Sequence, residues 1–164
     1  MVKKCDNKSV GIIIQNENGD FLMIERMKYP FGFAPVAGHL DDDGDDYKTA
    51  AVREASEEVG LDVKKLTLLL DKDLENQFGL PCSRGGSERT SHHWQVFRAD
   101  KWGGELKRSK DETKQVRWVA MPNLLSLAIR TEAYINEKIS DEDWETNPGF
   151  EEVWYRIFKI LGII

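Results

Sequence analysis

The chain has 164 residues, 40% of them hydrophobic and 32% charged, with a net charge of −6. A chain of this length buries about 68–70% of its unfolded surface, so one domain with a full core is expected over the whole sequence. The acidic balance argues against long nucleic acid as a partner and leaves small polyphosphates open, because a divalent cation can bridge two negative partners.

Val10–Gln15 and Phe21–Arg26 are two apolar runs with β character, and Asn18-Gly19 between them is a hairpin turn signal. Residues 29–38 are rich in Pro, Gly and aromatics, which predicts an irregular loop with a short strand near 34–37. An aspartate cluster, residues 41–46 around Gly44, precedes a helix over residues 47–59 that Gly60 stops. Leu66–Leu70 reads as a strand that residues 63–73 extend, and residues 79–91 form a polar loop with three glycines and a proline. A strand over 92–99, a turn at Gly103-Gly104 and a last strand over 115–120 follow. Residues 122–137 read as a helix. Phe150, Val153, Trp154, Ile157, Phe158 and Leu161 then recur at helical spacing. That last face reads as core, with a homodimer contact as the alternative. The order of elements describes an α/β protein.

The informative stretch is GHLDDDGDDYKTAAVREASEEVGL, Gly38 to Leu61. At about 100° per residue, Glu54, Glu57 and Glu58 fall within roughly 100° of arc, so three carboxylates share one side of the helix. Like charges at this spacing destabilise a helix, which invites a cation. Arg53 can hold one carboxylate but cannot neutralise three. The donors are all oxygens, a set that suits Mg2+, with Mn2+ as a substitute, better than zinc. A solvated acidic face is the plainer alternative.

The stretch resembles the Nudix box, Gly-x5-Glu-x7-Arg-Glu-U-x-Glu-Glu-x-Gly-U, with U aliphatic. Residues 53–61 match its second half, with Ala55 as a small U. The first half departs from it. Six residues follow Gly38 where five are usual, and Asp45 stands where Glu is expected. The resemblance implies an α/β/α sandwich with a mixed β-sheet. It also implies hydrolysis of a pyrophosphate bond in a nucleoside diphosphate linked to another group.

On that resemblance Glu57 and Glu58 ligate the metal, Glu54 ligates it or acts as base, Arg53 orients a glutamate, and the Gly38 carbonyl adds a ligand. Glu112 is the candidate for a further acid ahead of the last strand, with Asp111 as its substitute and a solvated loop acid as the alternative. A nucleotide-binding module without catalysis is the competing reading, motivated by the irregular first half of the box. The substrate class stays open among nucleoside triphosphates, oxidised nucleotides and ADP-ribose-like compounds.

Arg26 and Lys28 are candidates to meet phosphates, and Phe33, with Tyr29 and Phe31, to stack on a base or pack in the core. Arg84 and Arg89 could close over a polyphosphate or simply sit on a mobile loop. Asp41, Asp43 and Asp45 have the spacing of a calcium loop. However, Asp46 replaces its glycine and Val52 its closing glutamate. His92 and His93 are adjacent on a strand and point to opposite faces, so no joint metal site is expected of them. Cys5 and Cys82 belong to no CxxC pair and read as free thiols. The apolar run after the basic start spans only residues 10–14, too short for a signal-peptide core or a membrane span, so a cytoplasmic chain is expected.

Overall fold

The computed structural model describes residues 3–40 and 45–164. The chain divides into two compact units, Met1–Ile14 with Val36–Lys107, and Gln15–Pro35 with Arg108–Ile164.

The first unit is built on a mixed sheet of four strands in the order β4-β1-β6-β5: β1 (Lys8–Ile13), β4 (Val36–His39), β5 (Leu61–Glu75) and β6 (Ser91–Gly104). β1 lies between β4, which it pairs antiparallel, and β6, which it pairs parallel. β1 is apolar on both faces, since Ile12 and Ile13 point to opposite sides and both are buried, as is Val10. β5 and β6 form a long antiparallel ribbon from Leu61↔Gly104 to Glu75↔Ser91, with register shifts between Val63 and Lys65, Lys65 and Leu66, and Leu68 and Leu70.

Helix α1 (Tyr47–Val59) packs on β4, β5 and β1 through Ala50, Ala51, Ala55 and Val59, each fully buried. Alanines let the helix axis approach the sheet closely and cost no side-chain entropy. Asp46 caps its start, accepting a 2.7 Å hydrogen bond from the Thr49 amide. Gly60 ends it in the left-handed region at φ 73°, its amide bonding the Ser56 carbonyl at 3.0 Å.

The second unit holds an antiparallel sheet in the order β3-β2-β7, made of β2 (Phe21–Arg26), β3 (Phe33–Ala34) and β7 (Thr113–Val119). It also holds the helices α2 (Met121–Ile135), α3 (Asp141–Thr146) and α4 (Glu152–Ile160). Phe21, Phe150, Trp154 and Phe158 are buried, with Phe158 edge-on to Phe150 at 5.2 Å between centroids and tilted against Phe21 at 5.6 Å.

Several expectations need correction. The runs around Asn18-Gly19 do not make a hairpin ladder: β1 and β2 belong to different sheets, and only an isolated Gln15↔Phe21 bridge flanks the turn. Gly19 alone takes positive φ there, at 80°, and Asn18 does not, so the two-residue turn that twists strands into register is missing. Gly103-Gly104 is not a turn either, since both residues remain paired to β5. Residues 33–39 hold two short strands in place of one. The short α3, capped by Ser140, was not anticipated. The calcium-loop spacing and the extra box residue fall on residues 41–44, outside the described residues.

Gly60→Ala is expected to lower the unfolding free energy by about 1–2 kcal/mol, the cost of placing a Cβ in the left-handed region. That Cβ would also meet the Glu105 carbonyl at 3.0 Å. A shift in urea midpoint at constant m-value measures it, and an unchanged midpoint would refute the capping argument.

Candidate active site

The candidate site is the junction of β4 with α1 in the first unit. Two chain segments meet there because α1 lies against β4 and presents Glu54 and Glu58, one turn apart, to it. Gly38 in β4 is the point of closest approach. A Cβ built on it would lie 2.2 Å from the Glu54 carboxyl carbon, so only glycine leaves room for that carboxylate. Next to it, the Ala37 amide donates to Glu58 Oε2 at 3.3 Å. Glu58 is a buried acid, only 6% exposed.

Arg53 ties this arrangement together. Its Nη1 reaches Glu54 Oε1 at 2.9 Å and Glu57 Oε2 at 3.3 Å, and its Nε reaches Asp45 Oδ2 at 3.3 Å. Nη2 donates to the His39 carbonyl at 3.5 Å. A planar guanidinium offers five N–H donors in a fixed fork, which lets one side chain position several oxygens at once. Burial grades across the acids. The Glu54 side chain is 12% exposed and that of Glu57 61%, so Glu57 faces solvent while Glu54 and Glu58 are held inward.

Gly38, Arg53, Glu54, Glu57 and Glu58, singled out from sequence, are therefore gathered in one place. Asp45, whose shorter reach left its part open, is an ion-pair partner of Arg53. The His39 carbonyl is an addition that sequence did not suggest, since it depends on backbone direction at the end of β4.

The other candidates are placed as follows. Arg84 is exposed in the loop before β6. Arg26, Lys28, Phe33 and Glu112 belong to the second unit. There Arg26 Nε donates to the Pro30 carbonyl at 2.7 Å, so its side chain closes its own loop. Lys28 is exposed. Phe33 is 4% exposed, with the Arg117 guanidinium 4.4 Å from its ring centroid. Glu112 is exposed, and its carbonyl accepts from the Met27 amide at 3.0 Å. His92 and His93 diverge as the strand alternation requires: His92 is buried and His93 half-buried. His93 hydrogen-bonds Asp73 at 2.8 Å and Asp71 at 2.6 Å, and these partners hold its pKa above the ordinary value.

No helix among the described residues is long and apolar enough to cross a membrane. No curated protein matches the chain. Solved structures do. A MutT protein from Methanosarcina mazei Go1 is similar over 99% of this chain and 97% of its own, with 17% identity and a TM-score of 0.65. A MutT NUDIX hydrolase from Burkholderia pseudomallei is similar over 71% of this chain and 84% of its own, with 24% identity and a TM-score of 0.56. An Ap4A hydrolase from C. elegans is similar over 96% of this chain and 100% of its own, with 18% identity and a TM-score of 0.53. At these identities the likeness speaks to the fold, an α/β arrangement with a mixed sheet. The NUDIX domain model matches residues 6–142, which include the whole Gly38–Leu61 stretch and most of both units. With that match, and with Arg53, Glu54, Glu57 and Glu58 gathered beside Gly38, this chain belongs to the Nudix family of pyrophosphohydrolases.

Proposed function

We propose that the protein hydrolyses a pyrophosphate bond in a nucleoside diphosphate linked to another moiety, using Mg2+, with Mn2+ able to substitute. The observation that carries this reading is Glu54 packed against Gly38 while Arg53 grips it together with Glu57 and Asp45. One guanidinium balances only one of the carboxylates it touches, so the cluster suits a hard divalent cation that prefers oxygen donors. Glu54, Glu57 and Glu58 would hold it, with the Gly38 carbonyl as a further oxygen. When bound, such an ion polarises a phosphoryl oxygen and lowers the pKa of water.

The side chains of this chain supply the rest. Water attacks a phosphorus, the bridging P–O bond breaks, and the two phosphate-bearing products share the former anhydride. The proton lost by water passes to a carboxylate, Glu54 or Glu112. Arg53 orients Glu54 and Glu57 and, in doing so, limits the rotamers each must lose on binding a cation. The similar structures named above include an Ap4A hydrolase. Nucleoside triphosphates, oxidised nucleotides, dinucleotides and ADP-ribose-like compounds therefore make up the panel to test. Arg26, Lys28 and Arg84 remain the candidates to contact phosphate, while the buried Phe33 is left to its other reading, core packing.

Release of a nucleoside monophosphate or pyrophosphate from one panel compound, dependent on Mg2+, is the expected result. Tight binding without turnover across the panel would turn the reading into a nucleotide sensor. Glu57→Gln is expected to lower kcat by about 10²–10³-fold, the scale of losing one group that stabilises charge in the transition state. Its circular dichroism should not change, and full activity in that variant would remove Glu57 from the site. Comparing Glu54→Gln with Glu112→Gln over pH identifies the base, because only its loss removes the acidic limb of the rate profile.

Gly38→Ala tests the close approach directly. The added methyl must displace the Glu54 carboxylate, and misplacement by about 1 Å can cost 10²-fold in rate. A drop in kcat of that order is expected, with little change in the urea midpoint. Retained kcat would show that Glu54 does not act from the position described.

A further inference from the structure

Outside the carboxylate cluster, the first unit gathers a second set of donors of different chemistry. Cys5 precedes β1, His39 ends β4, Cys82 lies in the loop after the 3-10 turn, and His92 opens β6. Their ligand atoms all lie within 4.8 Å of one another. Cys5 Sγ is 3.1 Å from His92 Nε2, and Cys82 Sγ is 3.4 Å from His39 Nε2. The His39 and His92 rings meet edge to face at 5.3 Å between centroids. Cys5 and His92 are buried, each 6% exposed. We infer that Cys5, His39, Cys82 and His92 form a structural zinc site, distinct in donor atoms from the acidic cluster.

The donor geometry fits that ion. With Zn–S of about 2.3 Å and Zn–N of about 2.0–2.1 Å, the ligand atoms of a tetrahedral site stand roughly 3.3–3.8 Å apart. The Cys5–His92 and Cys82–His39 separations, 3.1 and 3.4 Å, lie near the lower end of that range and no pair exceeds 4.8 Å, so side-chain adjustments of about 1 Å or less would let the four atoms surround an ion. Two thiolates and two imidazoles are a set that selects zinc over magnesium, whereas the oxygen donors of the Glu54 cluster select the reverse. All four positions come from the protein, and a closed site of this kind holds structure rather than substrate.

The surroundings are those of a metal-bound histidine and thiolate. His92 Nδ1 donates to Asn76 Oδ1 at 2.5 Å, which fixes the ring tautomer and leaves Nε2 as the coordinating nitrogen. The Asn7 amide donates to Cys5 Sγ at 3.3 Å, an outer hydrogen bond of the kind that orients a metal ligand. Backbone bonds bring the distant segments together: the Cys5 amide to the Gly85 carbonyl at 2.9 Å, the Gly85 amide to the Cys82 carbonyl at 2.9 Å, and the His93 amide to the Asn7 carbonyl at 2.8 Å.

Cys5 and Cys82 are free of disulfides and His92 is buried, as the sequence led one to expect, and the proposed ion gives all three a further role. Spacing alone hid the site, because no two of the four residues are closer than ten positions in the chain. A structural ion here would fasten the start of the chain and the 80–90 loop to the ends of β4 and β6. His39 is also the residue whose carbonyl accepts from Arg53, so the same ion would steady one edge of the catalytic cluster.

The test is metal content of the full chain, purified under reducing conditions without chelator and then incubated with zinc and dialysed. One zinc per chain is expected, retained in Glu57→Gln, which alters only the acidic cluster, and lost in Cys82→Ser. Because Cys82→Ser could also misfold, cobalt loaded into the wild-type chain gives a second reading. Thiolate-to-cobalt charge transfer in the near ultraviolet, with the visible bands of tetrahedral cobalt, is the expected spectrum. X-ray absorption should find two sulfur and two nitrogen neighbours around zinc. Wild-type protein that takes up no stoichiometric zinc, zinc lost in Glu57→Gln but kept in Cys82→Ser, or a cobalt spectrum without sulfur bands would each overturn the site. None of these measurements depends on turnover, so an inactive protein that binds zinc through sulfur would leave the site standing and refute only the proposed hydrolysis.

Discussion

Arg53 stands within ion-pair range of Asp45, Glu54 and Glu57 while it also donates to the His39 carbonyl. Crowding acids in this way is unfavourable on a helix by itself. It becomes possible because the guanidinium fork divides its donors among them and because the sheet beneath supplies amides such as that of Ala37. Two of the carboxylates are largely withdrawn from water, so their mutual repulsion is screened less than it would be on an open surface. A positive charge entering the cluster therefore gains more than it would beside freely solvated acids.

That electrostatic tension can be held only if α1 does not move. Four fully buried small residues fit the helix closely against its strands, and both ends are fixed by local chemistry: Asp46 bonding the Thr49 amide and Gly60 turning through the left-handed region. Tight packing transmits displacement, since an interior at crystal-like density has little slack to absorb it. Gly38 matters for the same reason. The missing Cβ is the space that Glu54 occupies, so the backbone of β4 and a side chain of α1 share a single volume.

How much of this was legible in the sequence depended on the range of the interactions involved. α1 was readable to its ends, since caps and a 3.6-residue period are encoded within a dozen positions. The Arg53–Leu61 run exposed the acidic cluster because its residues lie within one or two helical turns of each other. Strand partners were not readable in the same way. Asn18-Gly19 carries the local signature of a hairpin, yet β1 finds β4 and β6 instead, a choice made by long-range burial of Ile12 and Ile13 on opposite faces. The glycines at 103–104 suggested a turn by composition, but pairing to β5 carries the strand through them. Asp45 differed from the expected glutamate, and only its distance to Arg53 gives it a part.

The Cys5–His39–Cys82–His92 cluster lies at the far end of that scale, because it is assembled entirely by strand order. β1 lies between β4 and β6, so the starts of β1 and β6 and the end of β4 meet along one rim of the sheet. Residues at those three places become neighbours whatever their spacing in the chain, and the β5–β6 connection carries Cys82 to the same rim. His39 and Gly38 are consecutive, so a soft-donor cluster and a hard-donor cluster adjoin along β4. The two donor sets differ in the cations they suit, sulfur and imidazole favouring zinc and carboxylates magnesium, so neither competes with the other. The backbone between Gly38 and His39 is thus constrained by the charge balance of α1 on one side and by the rim of the sheet on the other.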